Sequence, residues 1–336
     1  MSGPTTAALG LDLGDPVLDA DLGRGLAEVE AVLHRAVASD DPFIAEAARF
    51  LVDAGGKRLR PLMTLMCSHL GSPAVPEVVT AAAVVELTHL ATLYHDDVMD
   101  EAAVRRGAPS ANARWDNTVA ILTGDFLFSR ASELLADLGP WAVRLQARTF
   151  ARLVSGQIRE TVGPREGEDP VAHHLAVLAD KTGSLIATSA EFGARFSGAP
   201  AAAVDLVRRF GEQLGVAFQI SDDIIDIASD TSDSGKTPGT DLREGVATLP
   251  VLFARRDESA DPEAVRLREL VAGPITDDAA HAEALALLRR SSALLQARQT
   301  LQTYADSALA ILGALPDGPA RRALVGVTHG VVERVG

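Results

Sequence analysis

Six aspartates in two matched groups are the residues of this chain best equipped for chemistry. Asp96, Asp97 and Asp100 lie in the run His-Asp-Asp-Val-Met-Asp, and Asp222, Asp223 and Asp226 repeat the spacing in Asp-Asp-Ile-Ile-Asp. On a helix such positions point within about 100° of one another. Three carboxylates on one face repel, so their pKa values should rise unless a cation sits among them. Acid–base work needs two carboxylates in different environments. Three matched ones on a helical turn suit a hard divalent cation, and Mg2+ is held by one or two carboxylates plus substrate phosphates. One such group alone could be a solvated acidic turn. Both groups, however, follow apolar helical runs, Val78–Leu93 and Val216–Ile220. The repeat predicts one metal cluster built from two helices.

Cations gather at a few places in an otherwise acidic chain. Gly55-Gly56-Lys57-Arg58-Leu59-Arg60-Pro61 is a glycine-rich loop opening onto a helix. Glycines let a backbone approach an anion closely, and a helix N-terminus favours negative charge. Arg105-Arg106-Gly107 forms a basic turn just beyond the first aspartates, and Lys181-Thr182-Gly183 sits at a helix junction. Lys236 lies in the polar stretch Asp233–Asp241 that follows the second aspartates. His89 precedes Asp96 by two helical turns and shares its face. Cations beside carboxylates would bracket a phosphate whose metals the carboxylates hold. No Gly-x4-Gly-Lys-Ser/Thr loop occurs and no Gly-x-Gly-x-x-Gly follows a strand, so nothing supports a nucleotide. A diphosphate on an apolar substrate fits these surroundings.

The elements that must position these groups are nearly all helical. Alanine, leucine and arginine are abundant and β-branched alternation is rare. The 336 residues, 47% hydrophobic, suffice for a large core, and no linker divides them. Residues 1–20 are expected to be a flexible tail and 21–336 a single domain. Helices are expected over 21–38, 42–52, 75–100, 112–117, 119–138, 141–162, 171–180, 184–196 and 201–227, with four more between 248 and 333. A net charge of −15 argues against a nucleic-acid surface. Cys67, the single cysteine, lies in an apolar pattern and reads as core. The N-terminus lacks a basic region followed by an apolar core, and no uncharged run reaches the roughly 18 residues of a membrane span. A cytoplasmic location is expected.

Taken together, Gly55–Pro61, His95–Asp100 with Arg105-Arg106-Gly107, Gly124-Asp125, Lys181-Thr182, Phe218–Asp226 and Asp241–Pro250 resemble the ordered motifs of the trans-isoprenyl diphosphate synthases, the polyprenyl synthetase family. The resemblance is clear from about residue 50 to 255. It implies an all-α, single-domain helical bundle of the isoprenoid synthase type around a deep central cavity. It also implies a transferase, specifically a medium- to long-chain polyprenyl diphosphate synthase.

Carried over residue by residue, the resemblance assigns Asp96, Asp97, Asp100, Asp222, Asp223 and Asp226 to Mg2+, with about three ions per active site. Arg105, Lys181, Thr182 and Lys236 would contact the allylic diphosphate, with Gln219 beside them. Lys57, Arg60, His89 and Arg106 would bind isopentenyl diphosphate. The residues nearest the reaction are Asp96, Asp97, Asp100, Arg105, Lys181 and Asp222. One departure stands out: many members carry lysine where this chain has Val246. The resemblance further implies a homodimer, with a transient membrane contact for product release. A class I terpene cyclase is the alternative, but its second metal motif is usually of a different type. Its cavity is lined with aromatics that stabilise cations, whereas this chain is only 4% aromatic. A catalytic subunit that needs a partner is the other.

The first aspartate helix would also act as a ruler for the growing chain. Family members that stop short carry bulky aromatics four or five positions upstream. Here those positions are Ala91 and Thr92, with Thr88 a turn further, about 12 Å below Asp96. Tyr94 should point to another face. The product is expected to exceed C15, with C30 or longer favoured over C20. Replacing Ala91 with Phe should shorten it; an unchanged product length on reversed-phase chromatography would refute the ruler.

Overall fold

A computed structural model describes residues 15–228 and 238–335. The expected tail therefore lies outside the described residues up to position 14, and so do Lys236 and most of the stretch around it. The element order is α1 (Pro16–Ala36), α2 (Pro42–Asp53), α3 (Leu59–Ser68), α4 (Pro76–Met99), a hairpin of β1 (Val104–Arg105) and β2 (Ala108–Pro109), and α5 (Ala111–Arg114). Next come α6 (Asn117–Leu138), α7 (Pro140–Val162), α8 (Pro170–Leu178), a π-helical turn (Ala179–Gly183), α9 (Ser184–Phe196) and α10 (Ala201–Ala228). The series ends with α11 (Thr240–Glu244), α12 (Leu249–Arg256), α13 (Pro262–Leu270), α14 (Asp278–Arg289), α15 (Ser292–Leu312) and α16 (Pro319–Glu333).

Asp-Pro pairs start several of these helices. Asp15, Asp41 and Asp169 each cap a helix by accepting backbone N–H bonds, and proline follows at the first helical position. The Asp15–Pro16 cap begins α1 five residues before the expected start, so 16–20 are helix rather than tail. Five helices follow residue 248, not four. The extra break falls between α14 and α15, where the Ser291 hydroxyl accepts the N–H of Leu294. The basic turn after the first aspartates is a two-residue hairpin, with Arg106 and Gly107 both at positive φ.

The chain divides into two compact units. The first comprises residues through Ala151 with Leu185–Gly211 and Leu312–Gly326; the second comprises Arg152–Ser184, Glu212–Ile311 and Val327–Gly336. In the first, α4 is the central element. It packs against α1, α3 and α6 and is buried along most of its length. Among the described helices it alone is long and apolar enough to cross a membrane, and that apolarity is spent on the core: 72% of its most apolar window is buried. Gly124 of α6 makes the close approach possible, since a Cβ there would lie 3.1 Å from the Ala91 carbonyl and closer still to the His95 ring. Tyr94 turns away to α2, donating its hydroxyl to Ala47 O at 2.6 Å and accepting from Leu51 N. In the second unit, Ile227, Leu242, Val251, Leu267, Val271 and Leu288 form a core beneath the end of α10.

Gly193 of α9 meets α3 with no room to spare, since a Cβ would fall 1.9 Å from the backbone oxygen of Thr64. Backbone cannot step aside as a flexible side chain can. Gly193→Ala is expected to destabilise the protein by about 2 kcal/mol or more, read as a lower midpoint in thermal or urea denaturation.

Candidate active site

In the first unit the C-terminal turn of α4 carries Asp96, Asp97 and Asp100, with Asp100 as its C-cap. The partial negative charge of a helix C-terminus adds to theirs. Asp97 is 0% exposed. Its Oδ1 accepts a 2.6 Å hydrogen bond from Arg105 Nε, while its Oδ2 is buried without a hydrogen-bond partner. Arg105, on β1, also lies 3.9 Å from Asp100 Oδ2. A buried carboxylate oxygen with no donor is costly, and a cation would satisfy it. Among the described residues no three His, Cys, Asp or Glu side chains form a closed metal cage. Mg2+ takes one or two carboxylates from protein and the rest of its shell from phosphate and water. The donor set fits Mg2+.

The glycine-rich loop is built around an arginine that sequence reasoning passed over. Arg58 adopts φ 49°, and its side chain is 2% exposed. Its guanidinium reaches Glu30 at 2.5 and 3.2 Å, Glu86 of α4 at 2.9 Å and Val52 O at 2.9 Å. Arg58 is therefore consumed in holding the loop to α4. Gly56 lies flat against the Arg106 guanidinium, where a Cβ would sit 3.0 Å from it, and Arg106 donates to Leu51 O.

Arg60 is left with a buried Nε that has no partner. Burial lowers its pKa to about 10, with Glu86 and Asp96 raising it and Arg106 lowering it. His89 is held well below its usual pKa, first by burial and then by Arg60, Arg106, Arg58 and Arg105. It is neutral at pH 7 and offers a hydrogen bond rather than a charge. The structure thus brings Arg60, His89 and Arg106 together around the side of α4 that carries Glu86. Lys57 is exposed on the same loop. With Arg58 taken up by Glu30 and Glu86 and Arg105 by Asp97, Arg60 and Arg106 remain as a partly buried basic pair that fits an anion.

Of the proposed ruler residues, Ala91 and Thr88 are fully buried and Thr92 nearly so. Thr88 Oγ1 accepts a 2.6 Å bond from Gln146 of α7, a buried partner that no local pattern marks.

In the second unit, α10 ends in Asp222, Asp223 and Asp226. Asp223 is buried; its Oδ2 lies 3.1 Å from His174 Nε2 and 3.4 Å from the N–H of Leu249. Asp222 Oδ1 pairs with Arg334 at 2.6 Å, and that guanidinium also covers the Phe218 ring. Asp226 Oδ2 accepts weakly from Asp241 N, and its carbonyl accepts from Gly239 N at 2.7 Å. Lys181 and Thr182 occupy the π-helical turn, a distortion common at functional sites. Gly156 of α7 permits it, because a Cβ there would lie 2.7 Å from Lys181 N. Lys181 pairs with Glu160 at 2.5 Å, and Thr182 donates to Gln219 at 3.4 Å. Val246 is exposed. His174 and Arg334 were missed because neither the His173-His174 pair nor the single arginine at 334 falls in a motif.

The polyprenyl synthetase family profile matches residues 41–288. The chain belongs to this family. It is 50% identical, over the full length of both chains, to the nonaprenyl diphosphate synthase of Mycobacterium tuberculosis H37Rv. It is 38% identical to heptaprenyl diphosphate synthase component 2 of Geobacillus stearothermophilus, covering 89% of this chain and 92% of that one. Its fold matches the geranylgeranyl pyrophosphate synthase of Corynebacterium glutamicum, solved with calcium and isoprenyl diphosphate. That match has a TM-score of 0.87 and 46% identity over 97% of this chain and 100% of the other. The chain is a prenyltransferase with the all-α isoprenoid synthase fold, and the terpene cyclase alternative is not favoured. Members of the family depend on Mg2+.

The Arg58 arrangement carries its own test. Arg58→Met would leave Glu86, 2% exposed, as a buried carboxylate stripped of its nearest cation, at about 3–5 kcal/mol. Urea denaturation should register that loss, while Lys57→Ala, altering an exposed side chain on the same loop, should stay within about 0.5 kcal/mol of the parent.

Proposed function

We propose that this polyprenyl synthetase condenses isopentenyl diphosphate with an allylic diphosphate, in a Mg2+-dependent reaction, to give an all-trans polyprenyl diphosphate longer than C20, with C30 or more favoured. The observation that carries this reading is Asp97, a buried carboxylate with one oxygen bound by Arg105 and the other without a donor. A basic, desolvated anion site stands beside the same helix. A diphosphate brought in with metal ions meets both requirements.

In this reading Asp96, Asp97, Asp100, Asp222, Asp223 and Asp226 hold about three Mg2+ ions. Bound there, Mg2+ would offset the negative charge that develops on the leaving diphosphate. Arg105, Lys181, Thr182 and Lys236 bind that diphosphate with Gln219 beside them, and the cations stabilise it as it departs. Arg60, Arg106 and Lys57 clamp the diphosphate of isopentenyl diphosphate, to which neutral His89 donates a hydrogen bond. The allylic cation is attacked by the isopentenyl double bond, a proton is lost to the released diphosphate, and water must stay out or the cation is quenched. Arg334, already seated on Asp222, is a further cation beside the second aspartates. Small side chains at Ala91 and Thr92, together with the similarity to a nonaprenyl diphosphate synthase, support a long product.

Residues 21–336 act in this reading as one catalytic domain. In this reading two copies of the chain form a homodimer. The enzyme works in the cytoplasm and releases product through transient membrane contact.

The experiment is incubation of the purified chain with Mg2+, labelled isopentenyl diphosphate and a farnesyl or geranyl primer. Products beyond C20 are expected, with chelation by EDTA reducing turnover at least about a hundredfold. A cyclic hydrocarbon would overturn the reading. Activity appearing only on addition of a second protein would assign the chain to a two-component enzyme.

A further inference from the structure

The second acidic group is held differently from the first. Asp97 takes its orienting bond from an arginine, whereas Asp223 takes its own from a histidine. His174 lies on the second turn of α8, whose start is set by the Asp169 cap and Pro170. Its Nε2 is 3.1 Å from Asp223 Oδ2, and the two side chains are 16% and 8% exposed. An ionised carboxylate can only accept, so Nε2–H is the donor. The N–H of Leu249, at the start of α12, reaches the same oxygen at 3.4 Å. The neighbouring His173 is directed elsewhere, with Nε2 at 3.1 Å from Arg159 O and Nδ1 at 3.2 Å from Glu168. Two adjacent histidines therefore do separate work, and only His174 touches an aspartate of the repeated motif.

We propose that His174 is a positioning residue for the second aspartate group: by donating to Oδ2 it fixes the rotation of Asp223 and presents Oδ1 to the divalent cation. Both donors converge on one oxygen, so the carboxylate enters metal binding already ordered. Hydrogen-bond partners of metal-binding carboxylates commonly control affinity about 10- to 100-fold. The inference rests on the reading of Asp223 as a Mg2+ ligand.

Calorimetric titration of MgCl2 into the full-length protein with inorganic diphosphate tests it without recourse to turnover. His174→Phe keeps the ring and removes the donor; it should raise the Mg2+ concentration for half-saturation about tenfold. His174→Gln restores an N–H at similar reach and should return it to within about threefold of the parent. The KM for isopentenyl diphosphate should not move in either. Should His174→Phe fail to fold by circular dichroism, His174→Asn, which is polar but too short to reach, takes its place. A midpoint within about twofold of the parent for the donor-less variant, or a Gln variant no better than Phe, overturns the inference. Asp223→Asn separates the two readings. If it weakens Mg2+ binding while His174→Phe does not, only the positioning role falls. If Asp223→Asn has no effect, the ligand assignment falls with it.

Discussion

The buried ion group of Arg58, Glu86 and Glu30 is the constraint on which the first unit depends. Arg58 and Glu86 are each 2% exposed. Taking such charges out of water is expensive and is recovered only by near-complete hydrogen bonding. Arg58 achieves it with two carboxylates and a backbone carbonyl. The bond ties the Gly55–Arg60 loop to the middle of α4, the same helix that ends in the first aspartates. A loop tied at that point brings Arg60 and Arg106 into a desolvated cluster with His89. Burial then shapes the chemistry of the cluster: it lowers the pKa of Arg60 and keeps His89 neutral. The stability of the loop and the basic character of the cluster share one set of contacts.

The two aspartate groups have the same spacing but not the same surroundings. In the first, a hairpin arginine supplies the orienting bond and Asp97 keeps a buried oxygen without a donor. In the second, His174 and the Leu249 amide orient Asp223, and Arg334 pairs with Asp222. Each group needs a cation or hydrogen-bond donor close at hand, because clustered carboxylates repel and a buried one must be paired. The repeat in the sequence is thus a repeat of carboxylates, with independent means of holding each set.

Much of the architecture was legible locally. The aspartate helices, the helix starting at Pro42 and the Gly139–Pro140 break follow from periodicity and capping chemistry, which act over a few residues. The Asp15 cap and the serine break before α15 are local as well, but they are set by single capping side chains that a periodicity of apolar residues does not show. The π-helical turn was different. Lys181-Thr182-Gly183 reads as a junction between helices, but the helix runs on through a π-helical turn that depends on the close passage of Gly156 on another helix.

The sequence by itself singled out the candidates for metal and phosphate, because carboxylate spacing on a helix and glycines before a basic run are short-range patterns. It also determined the predominance of helix, from composition and period. Only the tertiary structure decided how those residues are divided between structure and chemistry. Arg58 and Arg60 read alike in the chain, yet one is enclosed by glutamates and the other is left with a buried nitrogen unpartnered. His173 and His174 are adjacent, yet only one reaches an aspartate of the motif. Those outcomes depend on which distant groups fold against each side chain, and on how much water they exclude, neither of which is written in local spacing.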